Sequence, residues 1–150
     1  MMPALTPELK ELFARTKLVV LPEDYYMVRL PTDAKPLPGE WYRPATTRFA
    51  TFIRDSQEIT LVIPRRKWLR MHSLFESFEL SEPMKVVTFD VKLSFGVCGF
   101  IAAVGAVLAE ARISILPMSS FNRDHIVLAK KDLPKAVKTL RQFLQSCKKA

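Results

Sequence analysis

The sequence predicts an α+β chain built from two related units, the first of them abbreviated. Three observations carry that reading. Residues 87–147 run strand, helix, strand, strand, helix. Several of the strand segments alternate apolar and polar residues with a period of two. The segment 52–64 can be laid without a gap on 119–131, matching Ile59 to Ile126 and Leu61 to Leu128, with basic residues after each. A helical crossover between neighbouring strands is right-handed, and the helices then lie on one sheet face.

The first half supports the reading element by element. Thr6-Pro7-Glu8 has the order of a helix start: a hydroxyl cap, proline where its missing N–H costs nothing, and an acid at the positive dipole end. Leu9, Leu12 and Phe13 form one apolar edge, and the helix should end near Lys17. Leu18–Leu21 reads as a strand, Pro22-Glu23-Asp24 as a turn and Tyr25–Leu30 as a second strand. Residues 31–47 hold Pro31, Pro36, Pro38, Gly39 and Pro44, too many breakers for a helix or a central strand, so a surface loop is expected. A hairpin follows, Phe49–Arg54 and Glu58–Ile63 around Asp55-Ser56-Gln57, with Ile59, Leu61 and Ile63 on one side. Residues 65–76 read as helical, and Ser81-Glu82-Pro83 as the boundary between halves.

The second half is more regular. Val87, Phe89, Val91 and Leu93 alternate with Thr88, Asp90 and Lys92, as in a half-buried strand. Gly96 and Gly99 bracket the entry to a helix over 98–111 that is apolar on nearly every side. One sheet cannot cover such a helix, so the first half or a second copy of the chain must. Ile113–Ser119 and His125–Ala129 read as strands around Phe121-Asn122-Arg123-Asp124. Leu133, Ala136, Val137, Leu140, Phe143, Leu144 and Cys147 then fall on one helical stripe.

Composition narrows the function classes. The chain has 150 residues, 49% apolar and 25% charged, a globular balance that buries a core without a metal or disulfide staple. Cys98 and Cys147 provide neither a disulfide framework nor a zinc quartet and suit a reducing compartment. The opening residues, with Glu8, Lys10, Glu11 and Arg15, lack the order of a signal peptide, so a cytoplasmic location is expected. The longest uncharged run, 93–109, contains Ser94, Gly96, Gly99 and Gly105 and reads as a buried helix rather than a bilayer span. The net charge of +8 is uneven: residues 1–84 carry 12 basic against 11 acidic groups, residues 85–150 carry 11 against 4. Such an excess favours anionic partners without naming one.

Several of these segments resemble the ACT domain, a small βαββαβ module of ferredoxin-like fold that binds amino acids. The resemblance extends to the tandem-ACT family that includes the cytosolic arginine sensors and related small proteins. It is carried by Leu108–Leu116, by Ser119–Leu128 and by Asp132-Leu133, and in the first half by Phe49–Phe52 and Glu58–Val62. It implies two ACT-like units with antiparallel sheets: an N-terminal helix at 1–17, a degenerate first unit at 18–83 and a second at 84–150. The second unit has no obvious last strand after Cys147, and the N-terminal segment is the candidate to supply it.

The resemblance further implies a ligand at an interface between ACT units. It would be held by the strand-to-helix loop Ser94, Phe95, Gly96, Val97, Cys98, Gly99, Phe100 and Ile101, and by Ser114 and Ile115 at the next strand start. Ser119, Ser120 and Asp124 complete the candidate set. Glycines permit close backbone approach, and N–H groups at a helix start suit a carboxylate. Many relatives carry aspartate where Ser94 stands, so a second reading is a protein-interaction module whose ligand site has lapsed. The implied partners are a small amino acid or related metabolite, a second copy of the chain and a regulatory protein, with no cofactor.

Catalysis finds no support in the residues. No phosphate loop, dinucleotide fingerprint, nucleophile elbow or paired-carboxylate motif is present. His72 and His125 lack metal-ligand or triad spacing, and His125 is expected to point outward. Cys98 is expected to be a buried, inert thiol. Lys130, Lys131, Lys135, Lys138 and Arg141, like Arg65, Arg66, Lys67 and Arg70 around Trp68, are read as solvated charged faces. A basic nucleic-acid-binding protein is the third reading.

Overall fold

In the computed structural model, residues 4–34 and 47–149 are described. Residues 35–46 of the expected proline-rich loop lie outside them. Two compact units divide the chain: the described residues of Met1–Leu21 with Val86–Ala150, and Pro22–Lys85.

The larger unit begins with helix α1 (Pro7–Arg15), and the capping chemistry read from the sequence is present: Thr6 Oγ1 accepts the Leu9 N–H at 3.2 Å. Strand β1 (Lys17–Val20) follows and pairs antiparallel with β6 (Met84–Asp90), Leu18 opposite Phe89 and Val20 opposite Val87. Strands β7 (Leu116–Ser119) and β8 (Asp124–Ala129) form an antiparallel hairpin, and the strand order is β1-β6-β8-β7. The N-terminal strand thus occupies the edge place that would fall to a strand after the last helix. Helices α3 (Phe100–Glu110) and α4 (Leu133–Lys149) complete the unit.

Phe13, Phe89, Phe100, Val104, Leu108, Ile126, Leu128 and Leu140 lie at the centre of its core. Helix α1 is what the apolar α3 needed as a second cover. The Phe13 ring stacks on Phe100 with centroids 4.4 Å apart and meets Phe143 of α4 edge-on at 4.8 Å. The outward residues of α3 are small, with Ala102 and Ala109 exposed.

Helix α3 ends in a Schellman geometry. The Ile113 N–H reaches the Leu108 carbonyl at 3.0 Å and the Arg112 N–H the Ala109 carbonyl at 3.0 Å, with Arg112 left-handed at φ 60. This cap, rather than a strand, accommodates Ile113, so β7 starts three residues later than the apolar pattern suggests. Val91 and Leu93 likewise stay buried beyond the end of β6.

The smaller unit holds β2 (Tyr25–Leu30), β3 (Thr51–Arg54), β4 (Ile59–Pro64), helix α2 (Arg65–Met71), a 3-10 turn (His72–Leu74) and β5 (Glu79–Leu80). The strands run β3-β4-β2 with β5 on the other side of β2, all antiparallel. Trp68 and Met71 of α2 pack on Val28, Leu30, Ile59, Leu61 and Ile63. With β6 counted as the first strand of the larger unit and β1 as its fourth, each unit has the same order, second-third-first-fourth.

The internal repeat is real in topology but two residues out of register in sequence. Arg54 pairs with Ile59 across one hairpin turn and Ser119 with Asp124 across the other, so Leu61 corresponds to Ile126 and Ile63 to Leu128. A slip of two keeps every side chain on its face, and the alternation cannot detect it.

Candidate functional site

A cavity of about 210 Å³ opens in the larger unit, where the β6-to-α3 loop faces the β7–β8 turn. Ser94, Phe95, Val97, Gly99, Phe100 and Ile101 line it from the loop, and Ser119, Ser120 and Asp124 from the turn. These are nine of the residues chosen from sequence. Leu93, Phe121, Asn122 and Arg123 also line it and were missed, because that turn read only as a connection. Gly96, Cys98, Ser114 and Ile115 do not line it.

The loop wall is a helix start. Gly99 caps α3 at φ 91, a left-handed conformation that disfavours any side chain, and a Cβ there would lie 3.3 Å from Leu9 Cδ1. Among the described residues no side chain caps this helix end, so the first N–H groups of α3 lack both an intrahelical acceptor and a capping side chain there. The approach to it is a tight turn closed by the Val97 N–H on the Ser94 carbonyl at 3.1 Å. The Leu93 N–H donates to the Asn122 carbonyl at 2.8 Å and ties the loop to the facing turn.

The turn wall is polar and internally bonded. Ser119 Oγ donates to Asp124 Oδ1 at 2.7 Å, and Ser120 Oγ lies 3.2 Å from the Arg123 carbonyl. Arg123 Nε donates to Asp90 Oδ1 at 2.8 Å, which pairs its charge. His125 does not point outward: it is buried, with Nδ1 2.8 Å from Thr88 Oγ1 and Nε2 2.9 Å from Ser120 Oγ. Burial pushes the imidazole below its ordinary pKa, Asp124 counters that and Arg123 adds to it. Parity mispredicted its exposure because β8 is buried on both faces, Val127 as fully as Ile126 and Leu128.

Two aromatic rings mark the rim. Phe95 is 82% and Phe121 75% exposed, and the rings meet edge-on with centroids 4.9 Å apart. Cys98 is exposed rather than buried, since it precedes the first helical turn instead of packing within it.

The basic clusters differ from one another. Lys130, Lys131, Lys135, Lys138 and Arg141 are exposed, as expected of a solvated face. In the other, Arg65 Nε donates to the Tyr26 hydroxyl at 3.0 Å, Arg66 pairs with Glu23 at 2.9 Å, and Lys67 is buried. Arg65, Arg66 and Arg70 are exposed, as expected of a solvated face. Among the described residues no group of His, Cys, Asp or Glu is arranged to hold a metal ion, and no helix is long and apolar enough to cross a membrane.

Residues 79–142 match a family model described as an ACT domain. No curated protein matches the chain. Among solved structures, it is similar to a Vibrio cholerae protein of unknown function described as a possible transport protein: TM-score 0.68, 21% identity, 91% of this chain and 96% of that one covered. A protein from Agrobacterium tumefaciens has TM-score 0.68 and 22% identity, over 85% of this chain and 88% of its own. The ligand-free regulatory subunit of aspartate kinase from Thermus thermophilus has TM-score 0.62 and 9% identity, over 83% and 95%. At these identities the likeness shows the fold.

Proposed function

We propose that this chain is a non-enzymatic regulatory module that binds a small amino acid or similar metabolite and passes its occupancy to a partner. One observation carries the proposal. A single cavity brings the uncapped start of α3 to face the hydroxyls and carboxylate of Ser119, Ser120 and Asp124. Helix-start N–H groups and the positive dipole end suit a carboxylate, and an acceptor cluster suits an ammonium group. A zwitterion presents both.

The match of residues 79–142 to an ACT domain and the likeness to a regulatory subunit of aspartate kinase support the same reading. Size supports a small ligand, because about 210 Å³ lies below the roughly 300–1,000 Å³ of pockets that enclose drug-sized molecules. In this reading Pro22–Lys85 is a degenerate ACT-like unit, and Val86–Ala150, completed by the N-terminal α1 and β1, is a second. The exposed Phe95 and Phe121 at the rim are covered when two copies meet, which completes the site at an ACT–ACT interface. A ligand shared across such an interface shifts assembly only by its differential affinity for the assembled state.

A thermal-shift screen of the purified chain against the twenty amino acids tests the reading, since a ligand specific to the folded state raises the melting temperature. A selective, concentration-dependent rise is expected. It disappears in Ser94→Trp, which blocks the cavity from an exposed position without disturbing the core. The exposed Phe95–Phe121 pair favours a second reading, a protein-interaction module with a lapsed ligand site, and absence of any shift in the folded chain moves the conclusion there. Binding to nucleic acid that weakens steeply with salt would instead support the third class.

A further inference from the structure

We propose that the outward face of α4 is the docking surface for a protein partner, and that the partner presents there a helix with carboxylates along one side. The proposal names the partner of the regulatory reading and rests on that reading for what docking accomplishes. The surface itself stands on the composition and exposure of α4.

Helix α4 contains Lys135, Lys138, Arg141, Lys148 and Lys149 and no acidic residue. Its apolar stripe is committed to the core, with Ala136, Leu140, Phe143, Leu144 and Cys147 buried. The opposite side exposes Lys138, Arg141, Lys148 and Lys149, with Gln142 and Gln145 between them. An open cleft of about 500 Å³ lies along it, lined by Arg141, Gln142, Gln145, Ser146 and Lys149. From Lys138 to Lys149 the face extends about 16 Å, at about 1.5 Å per residue.

Part of this charge has a use inside the fold. Lys135 Nζ donates to the Ala111 carbonyl at 2.7 Å, at the end of α3, and Lys148 and Lys149 suit the negative end of the α4 dipole. Neither account covers Lys138 and Arg141. Lys138 has Lys135 three residues before it and Arg141 three after, like charges at a spacing that weakens a helix. Among the described residues Lys138, Arg141, Lys148 and Lys149 make no ion pair or side-chain hydrogen bond. A local conflict without a local gain points to a surface kept for another molecule.

Chemistry selects the occupant. With its apolar stripe buried, α4 has nothing to enter a bilayer, and its exposed residues include no ring on which a base could stack. What remains is a row of cations at helical spacing with side-chain amides between them. Carboxylates along one side of a second helix complement that row in charge and in pitch. The α3 start lines the cavity and Lys135 holds the α3 end, so α4 is tied to the element a bound ligand touches.

The test titrates the full chain, without any amino acid, into a fluorescent alanine-based peptide with glutamates along one face. The peptide is about 20 residues long, enough to hold a helix, and salt is about 150 mM. Saturable binding is expected, with shifts of the Lys138, Arg141, Gln142 and Gln145 amides, and none with the glutamine version of the peptide. Lys138→Glu with Arg141→Glu should weaken binding about tenfold, the size of two exposed ion pairs replaced by repulsions. Arg70→Glu with Lys92→Glu makes the same change in net charge elsewhere on the surface and should leave affinity within about twofold. Equal losses in the two double variants overturn the proposal, and so does duplex DNA or a phosphatidylserine vesicle that shifts the same amides at lower concentration than the peptide. If the peptide docks on α4 but no amino acid stabilises the chain, the surface holds and the regulatory reading fails. If an amino acid stabilises the chain and the peptide does not bind, the surface fails and that reading stands.

Discussion

At the residue scale, side chains chosen for one role turn out to be governed by their bonding partners. His125 is the clearest case. Because its folded-state pKa is lowered by burial, the unfolded chain, titrating near 6.5, binds the proton first on acidification. Its contribution to stability is therefore fully present above about pH 6.5 and is lost as pH falls from there through the folded-state value. Melting temperatures measured from pH 8 to pH 5 should fall in that window, and His125→Gln should flatten that part of the profile. Arg112 is a second case. Its φ of 60 places an arginine in the left-handed cap of α3, where glycine is unstrained. Arg112→Gly should raise unfolding free energy by roughly 1 kcal/mol in urea titration, since the left-handed conformation costs a side-chain-bearing residue about that much.

At the element scale, the legible parts are those with a local cause. The α1 start, the β3–β4 hairpin and the α4 stripe follow from a cap, a turn and a helical period, each contained in a few adjacent residues. The boundaries that moved have tertiary causes: Ile113 is buried by the α3 cap, and Val91 and Leu93 by the core beyond β6. The covering of α3 by α1 joins residues nearly ninety positions apart through one ring stack. Phe13→Ala removes a fully buried ring from that contact and should cost about 3–5 kcal/mol, read as a lowered urea midpoint. Much of the cavity lining was legible because the resemblance to the ACT domain pointed to the strand-to-helix loop. Phe121, Asn122 and Arg123 were not, because nothing local in a turn says which loop it faces.

At the scale of the whole molecule, the functional reading becomes a statement about assembly. If the cavity is completed by a second copy, light scattering should show a dimer whose population rises with the amino acid found in the thermal screen. A monomer at every ligand concentration would count against that mechanism. The sequence by itself determined the α+β class, the order of the main elements, the inward Ile59, Leu61 and Ile63 of β4 with Ile126 and Leu128 of β8, and the glycine loop that opens α3. Each of these depends on residues within about one turn or one strand of each other. Only the tertiary structure decided that the N-terminal strand fills the edge beside β6, that the repeat is shifted by two, and that His125 is buried with its hydrogen bonds made. Those outcomes depend on which distant segments meet, and an alternating pattern carries the face of a strand but neither its register nor its neighbour.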